Sequence, residues 1–297
     1  MHVLVHLGLN KCASTFIQKA LAQARPILLA ADTWYPEQNG HDCQYGISRH
    51  YGFGPDAREI EPRTIAQLVR EARNRNCKRL IISSEYLSLY RREAATRLAK
   101  DLSDATTRFE FVIFSREVFG WIRSLFNQYV KAVEGSGQLD DLNAFVDQVL
   151  RNKAVDVAGR IGLWTSVTPE GTMKHYRLPD RGNLGSALSI FEEFAGLQLE
   201  IDAPDPANSS IEPAALHRIG QLRRRMSTPD RDAEITRLMT GGASPYPAPE
   251  GFLEISADRR ARILREIIAP FEALPCIRLP TADITHQCAP RRTQEPA

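Results

Sequence analysis

The chain of 297 residues lacks any long hydrophobic run, and no stretch approaches the roughly 18–20 apolar residues a membrane helix needs. It also has little net charge: 38 Lys+Arg stand against 36 Asp+Glu, for a formal +2. No global field therefore calls for a nucleic acid or an anionic membrane. Residues 201–297 hide no basic tail, holding thirteen Lys+Arg and thirteen Asp+Glu. Any polyanion site must be a local constellation. Cysteines are few, odd in number and scattered (Cys12, Cys43, Cys77, Cys276, Cys288), with no CxxC pair. That argues against a disulfide framework and for a reducing compartment, the cytoplasm. The pairs His41/Cys43 and His286/Cys288 fit no zinc spacing, so no metal is expected. The N-terminus lacks a basic n-region and enters the apolar Val3-Leu4-Val5 run at once, which reads as a fold starting at the first residues rather than a signal peptide.

What is present is an ordinary globular composition, 43% hydrophobic and 25% charged, which excludes disorder, collagen and coiled coil. Strand-like and helix-like segments alternate over the first two thirds. Val3–Leu7, Arg79–Ser83, Phe109–Phe114 and Thr172–Tyr176 read as strands. Ser14–Ala24, Arg63–Arg75, Arg91–Leu102 and Val118–Val133 read as helices, with another stretch ending near Trp164. This alternation predicts an α/β protein with a central, mostly parallel sheet flanked by helices on both faces. The Trp34–Pro62 segment, rich in Gly, Pro, Tyr and His, reads as a long loop. Composition shifts after residue 200, where twelve of the eighteen prolines lie. Pro213–Met226 and Ser256–Ala273 read as helices there, each with an apolar stripe and little of its own to bury it against. The expectation is one domain over 1–297, with an α/β core over 1–200 and a helical, loop-rich extension over 201–297.

Ligands in open parallel sheets bind outside the carboxyl ends of the strands. After the first strand comes Gly8-Leu9-Asn10-Lys11-Cys12-Ala13-Ser14-Thr15, a turn with a lysine and two hydroxyls that runs into a helix N-terminus. Free N–H groups and the helix dipole favour an anion there, although Ser14 reads equally well as a simple N-cap. The Gly-Lys-Ser/Thr of a Walker motif is absent. After the third strand come Ser115-Arg116 and a helix bearing Arg123, Ser124, Asn127 and Gln128. The Arg116 fork suits phosphate oxygens; the alternative is a surface arginine pairing with Glu117 or Glu110. After the second strand comes Ser83-Ser84-Glu85. A carboxylate beside a cationic crevice is suited to general-base work, or else caps the following helix. Three polar groups at three successive strand ends carry more weight together than any one alone.

Lys11-Cys12-Ala13-Ser14-Thr15 resembles the 5′-phosphosulfate loop of sulfotransferases that use 3′-phosphoadenosine 5′-phosphosulfate (PAPS). Phe111–Gln128, with Arg116 and Ser124 eight apart, resembles their 3′-phosphate motif. Ile161-Gly162-Leu163-Trp164 through Tyr176, the Phe191–Leu197 helix end and Asn208-Ser209-Ser210 extend the likeness to about two thirds of the chain. The departures are Ala13 in place of the usual loop glycine, which restricts φ, and Asn10 in place of the common proline. An Arg-Lys-Gly adenine loop has no match; Arg181-Gly182-Asn183 has suitable chemistry. The resemblance implies a P-loop NTPase-like three-layer fold and in-line transfer of a sulfuryl group from PAPS to an acceptor hydroxyl on a carbohydrate or other small molecule, with no metal. It implies that Lys11, Cys12, Ala13, Ser14, Thr15, Arg116 and Ser124 bind the donor. Lys11 would stabilise the developing charge and Glu85 would act as base, with His41 or His50 as alternatives.

Two rival classes remain open. A P-loop kinase would need magnesium and a proper Gly-Lys-Ser/Thr. A nucleotide-binding protein without catalysis is compatible with Ala13. Arg223-Arg224-Arg225 lies near Asp230, Asp232 and Glu234 and reads as a solvated face rather than a nucleic-acid site. Tyr35, Tyr45, Tyr51, Phe53 and Trp34 are candidates for a surface that stacks on an acceptor sugar.

Overall fold

The computed structural model describes residues 1–38, 40–54, 60–132, 141–178, 184–199, 211–223, 228–274 and 277–278. Its centre is a parallel sheet of β1 (His2–Leu7), β2 (Thr33–Trp34), β3 (Arg79–Ser84), β4 (Arg108–Ser115) and β5 (Met173–Arg177), with a two-residue edge strand β6 (Ile277–Arg278), in the order β2-β3-β1-β4-β5-β6. Every neighbouring pair runs parallel. The α/β expectation with a parallel sheet therefore holds. The sequence dictates it directly: β1, β3 and β4 are near-continuous buried runs with no solvent-facing alternation, which is what a strand covered on both faces requires.

Helices close both faces. On one, Trp164 of α8 (Val157–Thr165) packs its ring against Phe111 at 4.6 Å and Phe53 at 5.8 Å. On the other, His6 meets Phe114 at 5.4 Å and Phe191 of α9 (Ser189–Ala195) at 5.8 Å. Between β1 and β2 lie α1 (Ser14–Gln23) and α2 (Arg25–Ala30). Then come α3 (Tyr45–Tyr51) and α4 (Ile65–Asn74), the latter closed by a capping box between Thr64 and Gln67. Helix α5 (Arg92–Ala105) precedes β4; α6 (Val118–Ala132) and α7 (Leu142–Arg151) follow it.

Beyond residue 211, α10 (Pro213–Arg223) runs beside α6, and α11 (Pro229–Met239) is tied to it by Arg218 and Glu234 at 3.0 Å. Helix α12 (Ala257–Ile263) passes through a π turn at Leu264–Ile268 into α13 (Ala269–Glu272). Arg259 of α12 holds Asp147 of α7 at 2.7 Å. No helix among the described residues is long and apolar enough to cross a membrane.

Several elements differ from the sequence-based expectation. The Trp34–Pro62 segment is not one long loop, because it opens on β2 and contains α3. Elements α2, α7, α11 and β6 were not anticipated either. Tyr35, Tyr51 and Phe53 are buried to 2% exposure or less, so they are core and offer no stacking surface. Trp34 is covered by the Arg75 guanidinium, 4.7 Å from its ring.

Candidate functional site

From β1 the chain departs toward β2, and from β4 toward β5. The two neighbouring strands thus send their connections to opposite sides, and the crevice at their carboxyl ends is the position where such sheets hold ligands. Register fixes the parts. Leu7 pairs with Ser84, and the Gly8 N–H donates to the Ser84 carbonyl at 3.1 Å, so β1 and β3 end side by side. A Cβ on Gly8 would lie 2.9 Å from Ser14 Oγ and 3.1 Å from Glu85 Cα. Only glycine allows the β1 turn, the start of α1 and the Glu85 turn to come this close.

The turn is closed by its own bonds. Cys12 N–H and Ser14 Oγ both donate to the Leu9 carbonyl, at 3.1 and 2.9 Å. Trp121 Nε1 of α6 donates to Asn10 O at 2.7 Å, and Arg116 Nη1 to Lys11 O at 3.4 Å. The ends of β1 and β4 are thereby stitched together. Lys11 and Ala13 both sit in the left-handed region at φ 64°. Ala13, the departure from the usual glycine, adopts the glycine conformation regardless, at a cost of about 1–2 kcal/mol. Backbone strain of this kind concentrates where a loop is shaped for a ligand. Ala13, not Ser14, is the N-cap of α1, and it offers no side-chain cap. The first-turn N–H groups of α1 are therefore left for another acceptor. Ser14 is buried with its hydroxyl proton committed to Leu9, whereas Thr15 is exposed.

Arg116 does not pair with either acid suggested by sequence. Glu117 caps α6, accepting from Phe119 N–H at 2.8 Å and Gly120 N–H at 2.5 Å. Glu110 lies at the other end of β4 with His2, Arg108 and Lys174. Among the described residues neither Lys11 nor Arg116 forms an ion pair with an acidic side chain. Ser124 is half-buried on α6, two turns beyond Arg116.

Glu85 opens a short 3₁₀ turn, Glu85–Ser88, whose Ser88 Oγ donates to the Glu85 carbonyl at 2.8 Å. Burial pushes its carboxyl above the ordinary glutamate value, and the Lys11 charge pulls it partly back. A carboxylate poised upward beside a cation is suited to accept a proton. The Cys12 thiol is fully buried, and burial pushes it up to about 12 despite Arg116 and Arg160, so it is a packed thiol and not a nucleophile. Cys43 and Cys77 are likewise free and buried.

The structure thus brings Lys11, Cys12, Ala13, Ser14, Arg116 and Glu85 to one crevice. His41 stands against Tyr45, which in turn faces Tyr86, at 5.4 and 5.3 Å between rings. Tyr45 is the one member of the suggested aromatic surface that lies beside Glu85, whose charge acts on its phenol. His50 packs edge-on against Tyr51 instead. Sequence reading missed two further cations. Lys131, near the end of α6, is lowered by burial and by the charge of Lys11. Arg160 is buried in α8. Arg181-Gly182-Asn183 and Asn208-Ser209-Ser210 lie outside the described residues. The chain matches no family model, no curated protein and no solved structure.

Proposed function

We propose that this chain is a PAPS-dependent sulfotransferase, on a P-loop NTPase-like sheet with its last helices as a C-terminal layer. One observation carries the reading: two cations that form no ion pair among the described residues, Lys11 and Arg116, flank a strained loop at a helix N-terminus, next to a carboxylate that burial has raised. Such a crevice is built for a dianionic ligand and one proton. The donor's phosphosulfate suits the Lys11–Thr15 loop, and its 3′-phosphate suits Arg116 and Ser124. The acceptor is a hydroxyl on a glycan or other small molecule, with Tyr45 and Tyr86 beside the base.

In the reaction, the acceptor oxygen forms a bond to sulfur while the bond from sulfur to the bridging phosphate oxygen breaks. The hydroxyl proton passes to Glu85, and the charge released on the leaving phosphate is met by Lys11 and the α1 N-terminus. Fixed charges of this kind, aimed at developing charge, are typically the largest single contribution to rate.

A thermal-shift comparison of 3′,5′-ADP with ATP–magnesium tests the reading. Stabilisation by 3′,5′-ADP is expected at concentrations where ATP–magnesium has little effect. Stabilisation by ATP–magnesium alone would sink it in favour of a kinase. Binding of 3′,5′-ADP without sulfuryl transfer to any acceptor would leave only a nucleotide-binding protein.

A further inference from the structure

Arg160 breaks the pattern of its own helix. Val157, Arg160, Ile161 and Trp164 follow the i, i+3, i+4, i+7 spacing of one helix face. The three apolar members are buried at 1%, 8% and 0% exposure, and the arginine at 8% is buried with them. Its Nε donates to the Ser88 carbonyl at 2.8 Å and its Nη1 to the Asp156 carbonyl at 2.9 Å, while Nη2 makes no hydrogen bond among the described residues. Asp156 spends Oδ1 on capping the Gly159 N–H at 2.7 Å and forms no ion pair with it. The Asp156 charge acts on the guanidinium without an ion pair, so this buried cation is only partly compensated, and proteins bury charge only when it is paired or hydrogen-bonded throughout.

The position of Arg160 indicates where the missing partner lies. Ser88 closes the turn that begins at Glu85, and Glu85 Cα lies against Gly8 at the mouth of the anion loop. From the other side, the positive charges acting on the Cys12 thiol inside that loop are those of Arg116 and Arg160, beside the negative charge of Glu85. Burial lowers the guanidinium, so the residue loses charge stabilisation by sitting there. Lys11 of the loop itself, Arg116 just beyond β4 and Arg160 of α8 therefore converge on the loop after β1.

We propose that Arg160 is a third cationic ligand of this site, and that its counter-charge is the phosphosulfate, or an equivalent diphosphate-like anion, that enters the β1 loop. The inference rests on the sulfotransferase reading for the identity of that anion, but not for its existence. Arg160 holds the Glu85 turn through Ser88 with two of its three nitrogens committed to carbonyls, and presents the third to the ligand. The base and the transferring group are thus positioned by one side chain.

Calorimetric titration of inorganic pyrophosphate and, separately, 3′,5′-ADP tests this on the wild type, Arg160→Met and Arg160→Lys. Pyrophosphate affinity is expected to fall at least tenfold in Arg160→Met and to return in part in Arg160→Lys. The ligand-free melting temperature of Arg160→Met is expected to stay near or above that of the wild type, because an unpaired buried charge has been removed. Unchanged pyrophosphate affinity in a folded Met variant overturns the proposal, as does a wild type that binds no pyrophosphate. So does a lowered melting temperature with unaltered affinity, the mark of a purely structural arginine. Should the Met variant fail to fold, the Lys variant decides, since it keeps the charge and loses the fork. An affinity three- to tenfold weaker is then expected, and an unchanged one refutes the idea. Should neither fold, the Arg160 Nε–H resonance of the unmodified protein decides, by shifting or not as pyrophosphate is added. A wild type that binds pyrophosphate but not 3′,5′-ADP removes the sulfotransferase reading and leaves Arg160 to be judged on the pyrophosphate titrations alone.

Discussion

The two ends of strands β1 and β4 gather charge in opposite ways. At the amino ends, Glu110 is buried to 7% exposure and takes two cations and an imidazole, with Arg108 Nη2 at 2.6 Å, Lys174 closing the group and His2 Nε2 at 3.1 Å. At the carboxyl ends, Lys11, Arg116 and Arg160 form no ion pair among the described residues, and the nearby Glu85 is raised rather than lowered. One end is a closed account of charge; the other is left open. Burial acts upward on both carboxylates, yet Lys174, Arg108 and His2 outweigh it at Glu110 and hold that group below its ordinary value. A carboxylate that stabilises the fold is surrounded before folding ends, and one reserved for chemistry is kept short of partners.

The contrast is broken most severely at the open end. Glu85→Gln is expected to lower sulfuryl transfer by about 10²–10⁴-fold, the usual contribution of a positioned base. It is also expected to leave the melting temperature at neutral pH equal or higher. The folded value of Glu85 lies above the unfolded one, so its ionised form costs stability above the unfolded value of about 4.3, and that cost disappears in the amide. Transfer assays and calorimetry on one preparation check both halves; a Gln variant with full turnover removes Glu85 as the base.

Glu110→Gln should do the reverse. It leaves Arg108 and Lys174, both partly exposed to solvent, beside a neutral amide, and a loss of about 1–2 kcal/mol is expected in urea unfolding. Because the folded value is depressed, this stabilisation is present above the unfolded glutamate value of about 4.3 and is lost as pH falls through the folded one. The difference between wild type and variant should shrink below pH 4. A difference independent of pH would show that packing, not charge, holds that end.

The smallest effect is expected at Ala13→Gly. Relief of about 1 kcal/mol of left-handed strain is offset by the added freedom of glycine in the unfolded chain, worth about 0.4–1 kcal/mol. Unfolding should change by less than about 1 kcal/mol. A gain well beyond that would mean the loop is strained elsewhere too.

The sheet was legible in the sequence because β1, β3 and β4 are apolar runs bounded by polar turns, and parallel strands demand such runs. Strand β2 escaped because two residues carry no period, and α3 because Gly46, Ser48, Arg49 and His50 dilute its apolar face. Lys11, Glu85 and Arg116 were found by position, each standing where a strand ends. Arg160 was missed because it stands in the middle of a helix, far from any strand end in sequence. Its signal was nevertheless there, a charged residue at an apolar position of the Val157/Ile161/Trp164 stripe. Ala13 was read as an obstacle, since propensity describes what a residue prefers and not what surrounding contacts can impose on it. The aromatic surface failed for the opposite reason: Tyr35, Tyr51 and Phe53 are as useful to a core as to a sugar, and composition cannot separate the two.

The bare Cα of Gly8 has a last consequence, for how this chemistry could be re-engineered. Because any side chain there would collide with both Ser14 at the start of α1 and the Glu85 backbone, the span from the anion loop to Glu85 is set by adjacent hydrogen-bonded strands, about 4.8 Å apart, and not by any loop length. Insertions in either turn cannot stretch it without slipping the register of Leu7 against Ser84. On the sulfotransferase reading, acceptors of different size would therefore be accommodated around Tyr45 and Tyr86, while the spacing between the anion loop and Glu85 stays fixed in the sheet.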